Sequence, residues 1–192
     1  MSKVIQQQKQ YKILLVGEVC KDVYVFGDAE RLSPEAPVPV LKKTLKEYKQ
    51  GMAGNVYENL KSMSLNVSID FHANEINNIK KIRFIENKSK YQIMRYDIEK
   101  KLKPLSVDSI KDNDYDVVVL SDYNKGFLTN DAISKLCKMF KNIPVFVDSK
   151  REDMSCFEDC ILKINETERK KCYNVGNNVE AVSYTHLTLP TT

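Results

Sequence analysis

Ten residues near the start of the chain, Arg31-Leu32-Ser33-Pro34-Glu35-Ala36-Pro37-Val38-Pro39-Val40, restrict the fold more than any other stretch. Three prolines within six positions exclude a helix interior and a central strand, because each removes a backbone donor and fixes φ. Pro37 and Pro39 are two apart, so on an extended chain their missing N–H groups fall on one side, which then accepts no neighbouring strand. The segment reads as a stiff edge strand or a polyproline-like arm, protected against edge-to-edge pairing and set between two strand-like runs.

A chain of 192 residues is one domain, or one domain plus a small lid, and this one has apolar residues enough for a core. The net charge of +4 suits an anionic small-molecule ligand and is too weak to imply nucleic acid. No apolar run approaches the length of a membrane span, and the polar, Gln-rich extension 1–10 is neither a signal peptide nor an anchor. Five cysteines, odd in number and without a CxxC pair, read as those of a reduced, cytoplasmic protein. Cys156 and Cys160 have no second pair or nearby histidine to complete a metal site. Residues 182–192 are uncharged and non-periodic and look like the translation of an adapter. They are set aside as a non-native tail, with the expectation that a natural C-terminal portion is missing.

Tyr11 to Gly17 is a short continuous apolar run, as in a buried parallel strand. Val23 to Phe26 and Val38 to Lys46 are strand-like and flank the proline segment. Gly51 to Gly54 reads as a turn before a helix over Asn55 to Met63, and Leu65 to Phe71 alternates like a strand. Lys80 to Glu86 and Tyr91 to Ile98 form a hairpin around Asn87-Lys88-Ser89-Lys90. Further buried strands follow at Asp116 to Leu120, Ile143 to Val147 and Cys160 to Ile164. Thr129 caps a helix that runs to about Phe140. Strand, helix and strand in alternation imply a mostly parallel α/β sheet with helices on both faces, and the extra strands near the start imply a small β lid.

Ligands of such sheets bind beyond the carboxyl ends of the strands. Four ends carry polar clusters: Gly17 to Asp22, Ser121 to Gly126, Asp148 to Lys150 and Asn165 to Glu168. A single Asp there is a common turn former, whereas four such clusters on one edge favour a site. Lys125 and Lys150 suit phosphate, and Arg83 and Arg95 stand on the two arms of the basic hairpin. Taken alone, Asn165 and Glu168 describe a capped helix start.

Together the proline segment and Val118 to Thr129 (VVLSDYNKGFLT), with Asp22, Gly51 to Asn55, Val147 to Lys150 and Asn165 to Glu168, carry a resemblance. The chain resembles the ribokinase-like (PfkB) carbohydrate kinases, and within them the heptose-7-phosphate kinases of ADP-heptose synthesis, over roughly residues 11 to 170. The resemblance implies a ribokinase-like fold, incomplete at the C-terminus, with ATP and Mg²⁺ as cofactors. Asp22 and Asn55 would hydrogen-bond sugar hydroxyls, and Gly51 would let the backbone approach the sugar; Met52 stands where the family has a second glycine. Arg31, Glu35 and Asp122 would line the sugar-phosphate pocket with Lys125, and Arg83 and Arg95 would grip the sugar's own phosphate. Lys150, Asn165 and Glu168 would serve the nucleotide, the last two organising Mg²⁺ through water. A homodimer through the lid is the expected assembly.

The family's catalytic base lies in a Gly-Ala-Gly-Asp motif at a helix start, and no such run occurs in this sequence. The chain is therefore expected to be a sugar-binding portion with little transfer activity of its own. The competing readings are another PfkB sugar or nucleoside kinase, or a non-catalytic sugar-phosphate binding or dimerising domain. A dinucleotide-dependent oxidoreductase is disfavoured because no GxGxxG follows the first strand.

Overall fold

The computed structural model describes residues 9–63, 66–111 and 114–184. The main sheet contains β1 (Tyr11–Gly17), β4 (Val67–Ala73), β7 (Val117–Asp122), β8 (Val145–Ser149), β9 (Ile161–Asn165) and β10 (Glu180–Tyr184), in the order β10-β9-β8-β7-β1-β4. All its pairings are parallel, so the carboxyl ends line one edge. The lid is a four-stranded sheet of β2 (Val19–Leu32), β3 (Pro39–Met52), β5 (Ile79–Glu86) and β6 (Gln92–Glu99), in the order β3-β2-β5-β6.

Helix α1 (Ala53–Ser62) lies between β3 and β4, α2 (Asn130–Met139) between β7 and β8, and α3 (Glu166–Lys171) between β9 and β10. From β1 the chain moves one way, to β4. From β7 it moves the other way, to β8. Right-handed crossovers in opposite directions put α1 and α2 on opposite faces and open a crevice between the ends of β1 and β7. Leu14, Val16, Val118 and Leu120 are fully buried between the layers. α2 turns Ala132, Ile133, Leu136 and Cys137 onto the sheet, and the Thr129 hydroxyl accepts from Ala132 N–H at 3.2 Å, as the sequence predicts.

The proline segment is not a separate edge strand or arm but the tip of the β2–β3 hairpin. The strands pair up to Leu32 and Pro39, and the loop closes with Ser33 N–H donating to Val38 O at 2.8 Å. Pro34 and Pro37 sit where the loop asks for no ladder donor, and Pro39 opens a strand, where proline is tolerated. The β5–β6 hairpin forms as expected, with Lys90 at φ 60°. Residues 180–184 add an unforeseen parallel strand to β9, so Val182, Ser183 and Tyr184 of the expected tail lie in the sheet. The rest of that tail, residues 1–8 of the polar extension, and Leu65 lie outside the described residues.

The lid has two unlike faces, since alternate residues of a strand point oppositely. One carries the cross-strand row Tyr48-Val23-Ile82-Tyr96 and beside it Val25, Phe84 and Met94. The other carries Lys49-Asp22-Lys81-Asp97 and Glu47-Tyr24-Arg83-Arg95. The predicted turn at Gly51 and Met52 is instead the last two residues of β3, and the helix begins at Ala53.

Met52 joins strand to helix with φ 57° and ψ −130°, close to a region that glycine alone enters freely, while its side chain is buried. The backbone thus takes a glycine-like conformation at a residue that is not glycine. Met52→Ala loses the packing and keeps the strain, whereas Met52→Gly loses the packing and relieves it. The Gly variant is expected to be more stable than the Ala variant by about 1–3 kcal/mol in urea denaturation, the reverse of the usual order.

Candidate functional site

The site begins where β1 and β7 meet. A side chain on Gly17 would stand 2.3 Å from Ser121 O, so only glycine lets the two strands approach this closely. Directly after it, Glu18 N–H donates to Ser121 O at 3.2 Å, and Ala53 N–H at the start of α1 donates to Glu18 O at 2.9 Å. The Glu18 side chain is fully buried. Its carboxylate accepts from the backbone N–H of Tyr123 at 2.7 Å and of Leu128 at 3.3 Å, across the loop that follows β7. Burial pushes the Glu18 carboxyl above its ordinary value, against the pull of these amides.

Asp122, also fully buried, ends β7. Arg151 Nε donates to its Oδ2 at 2.6 Å, Ser149 Oγ donates to the same oxygen at 2.8 Å, and Asn124 N–H donates to Oδ1 at 3.0 Å. The same guanidinium donates to Leu128 O and to Asn130 Oδ1. Arg151 thus ties the ends of β7 and β8 to the start of α2.

At the next strand ends, Lys150 pairs with Glu168 and stands 3.6 Å from Asp148. Burial alone would draw the Lys150 ammonium down, but the two carboxylates outweigh it and hold the group above its ordinary value. Asn165 and Glu168 form a reciprocal capping box: each accepts from the other's backbone N–H at 2.9 Å. Burial of Glu168 is outweighed by the Asn165 N–H and by Lys150, which hold its carboxyl below the ordinary value. Ser121 Oγ and Asp148 Oδ1 are buried without a hydrogen-bond partner, and orphaned polar atoms at the carboxyl edge are what a polar ligand would satisfy.

Asp22 lies at the base of the lid on β2. It pairs with Arg83 of β5, whose guanidinium also stacks 5.3 Å over the Tyr24 ring. This hydrogen bond holds the Arg83 guanidinium above its ordinary value. A side chain on Gly51 would come within 2.1 Å of Asp22 Oδ2, so the bare backbone there makes room for the carboxylate. Arg95 faces Arg83 across the hairpin but is held by Asp97 at 3.0 Å. Lys125 reaches from the β7 loop to Glu99 of β6 at 2.8 Å. Asn55 is exposed in the first turn of α1, and Arg31 and Glu35 are exposed in and beside the hairpin tip.

The sequence reading did not single out Glu18, Tyr123 or Arg151. Tyr123 is half-buried: burial and the charge of Asp148 push its phenol up, against the opposing pull of Lys150. Glu18 and Tyr123 stood in the strand-end clusters, and Arg151 follows Lys150, so their positions were visible while their partners were not. A cavity of about 350 Å³ lies beside Arg151, lined by Asn124, Asn130, Lys150 and Tyr173 among others. A larger one of about 550 Å³, beside β4, touches none of the predicted residues. No group of three or more His, Cys, Asp or Glu residues suited to a metal occurs among the described residues.

No model of a known protein family matches the sequence. The Bifunctional protein HldE of Campylobacter jejuni strain RM1221 is 35% identical over 217 aligned positions, which cover 94% of this chain and 46% of that protein. The HldE of a Nitratiruptor species is 33% identical, over 83% of this chain and 41% of that protein. The chain spans less than half the length of these relatives. Among solved structures, a carbohydrate kinase from Agrobacterium tumefaciens superposes with a TM-score of 0.51 at 13% identity, over 84% of this chain and 62% of that one. An Arabidopsis thaliana ribokinase, solved with ribose and ATP, gives 0.50 at 13% identity over 91% and 72%. The fold is therefore ribokinase-like: a mostly parallel sheet with helices and a β lid, as the sequence led us to expect. The sequence matches narrow this class: over most of its own length the chain is a homologue of the HldE proteins.

Arg151→Met would leave the Asp122 carboxylate buried without its cation. A loss of about 3–5 kcal/mol in chemical denaturation is expected, part of it recovered when Asp122→Asn is added.

Proposed function

We propose that this chain is the sugar-binding part of an ATP-dependent carbohydrate kinase, and that its substrate is heptose 7-phosphate, in the synthesis of ADP-heptose. The observation that carries this reading is the lid base, where Asp22 rests against the bare backbone of Gly51 beside the crevice between β1 and β7. Asp22 accepts from sugar hydroxyls there, and Asn55 adds an amide that both donates and accepts. Arg83, now paired with Asp22, and Arg95 and Lys125 beyond it supply cations for the phosphate the sugar already bears. The reaction moves the γ-phosphoryl of ATP to a hydroxyl of that sugar, chemistry that rests on positioning and charge.

Lys150 suits the phosphates of the nucleotide. Asp148, with an orphaned buried oxygen, and Glu168 and Asn165 are oxygen donors of the kind Mg²⁺ takes, so the residues present fit the ion, held through water. When bound, Mg²⁺ would neutralise charge on the nucleotide phosphates. No Gly-Ala-Gly-Asp run is present to supply the base, so the chain on its own binds sugar without appreciable transfer, in the cytoplasm where ATP is available. The apolar lid face, with Tyr48, Met94 and Tyr96 more than half exposed, favours pairing with a second copy through the lid.

Calorimetry with heptose 7-phosphate is expected to show binding that weakens at least tenfold in Asp22→Ala. Equal affinity in the variant would remove Asp22 from the site. Preference for fructose 6-phosphate or a nucleoside over the heptose would move the chain to another branch of the family.

A further inference from the structure

Glu18 has a place in the structure that the substrate reading leaves unused. Its carboxylate is fully buried, and among the described residues it forms no ion pair. The charged group facing it is Asp122 of β7, of like sign, whose own charge is met by Arg151. The loop after β7 presents the backbone amides of Tyr123, Lys125 and Leu128, and α1 presents the backbone of Ala53. A buried carboxylate without a cation is costly, and here its compensation is backbone N–H groups from one loop. That loop carries Lys125, which reaches Glu99 of the lid, and ends at Leu128, whose carbonyl is held by Arg151.

We infer that Glu18 is a positioning residue: its two oxygens clamp the loop of residues 123–128 across the crevice between β1 and β7, and so set Lys125 against the lid and Asp122 against Arg151. The two oxygens hold different amides, Oε2 that of Tyr123 and Oε1 that of Leu128. A glutamine of equal length can offer its single oxygen to one of them only. The shorter bond to Tyr123 survives, and the amide NH₂ then meets the Leu128 N–H, donor against donor. The clamp opens at one end and the sheet is left untouched. Its importance to ligand rests on the reading of the chain as a sugar-phosphate binder.

The sign of the pH effect follows from burial. A carboxyl whose folded-state value lies above its ordinary 4.5 contributes most to stability when protonated, and that contribution is lost as pH rises through the raised value. The ionised clamp is therefore held against the fold's own stability. The stability of Glu18→Gln relative to the parent chain shifts in favour of Gln as pH rises across this range, because burial of the carboxylate sets that sign.

Amide hydrogen exchange on the whole chain tests the clamp without ligand. In Glu18→Gln, exchange at Leu128 is expected to rise at least tenfold while Tyr123 keeps most of its protection and Leu15 and Val118 are unchanged. Unchanged exchange at Leu128, or an equal rise throughout β1 and β7, would overturn the inference. Heptose 7-phosphate affinity, measured in parallel, should fall several-fold in Glu18→Gln, and unchanged affinity in a parent chain that does bind would refute the positioning role. If the parent chain binds no sugar phosphate, the substrate reading fails while the exchange experiment still decides on the clamp.

Discussion

The close approach of β1 and β7 at Gly17 and Ser121 is the contact on which the carboxyl edge is built. With a side chain at Gly17 the strands would separate, and Glu18 would no longer reach the loop beyond β7. Because the crossovers run outward from this pair in opposite directions, a crevice opens between their carboxyl ends. Most of the polar groups that collect there are satisfied, buried Glu18 by backbone amides, buried Asp122 by Arg151 and Ser149, and half-buried Glu168 by Lys150 and its own capping box, while Ser121 Oγ and Asp148 Oδ1 are left without a partner.

The lid is attached to this edge through few points. β2 leaves β1 after a single residue, so Asp22 is set within a few residues of the crevice. Lys125 and Glu99 make a second link from the opposite side. The two lid faces differ: the row containing Asp22 and Arg83 is charged, and the reverse face carries an apolar band of Val23, Val25, Ile82 and Phe84 edged by Lys21 and Lys46. Two surfaces of unlike chemistry coexist on one thin sheet because strand side chains alternate.

Met52 shows how a departure in sequence can leave a backbone intact. Where the resemblance implied glycine, this chain carries a methionine, and the strand-to-helix turn has positive φ all the same. Burial of the side chain in the main core offsets part of that strain. Asn165 and Glu168 are instructive in another way. The bland reading, a capped helix start, describes their geometry fully, and the nucleotide role must be added to a capping box that is already complete.

Local pattern was enough for the buried strands at Tyr11 to Gly17 and Asp116 to Leu120, the Thr129 cap and the β5–β6 hairpin. Hydrophobic runs, capping residues and turn residues act over a few positions and are written in order along the chain. The alternation of strand and helix likewise determined a parallel sheet, and with it the edge where Asp122, Lys150 and Glu168 would gather. The proline segment shows the limit of such reasoning. Missing donors exclude central strands, but only the pairing of Arg31 with Val40 makes the segment a hairpin tip rather than an arm. Partners more than twenty residues apart were decided by the tertiary structure alone: Arg83 on Asp22, Arg151 on Asp122, and Glu18 on the Leu128 amide. Charge and donor count say that each of these groups needs a partner once buried, but which partner depends on strand order and register, and those are properties of the assembled sheet.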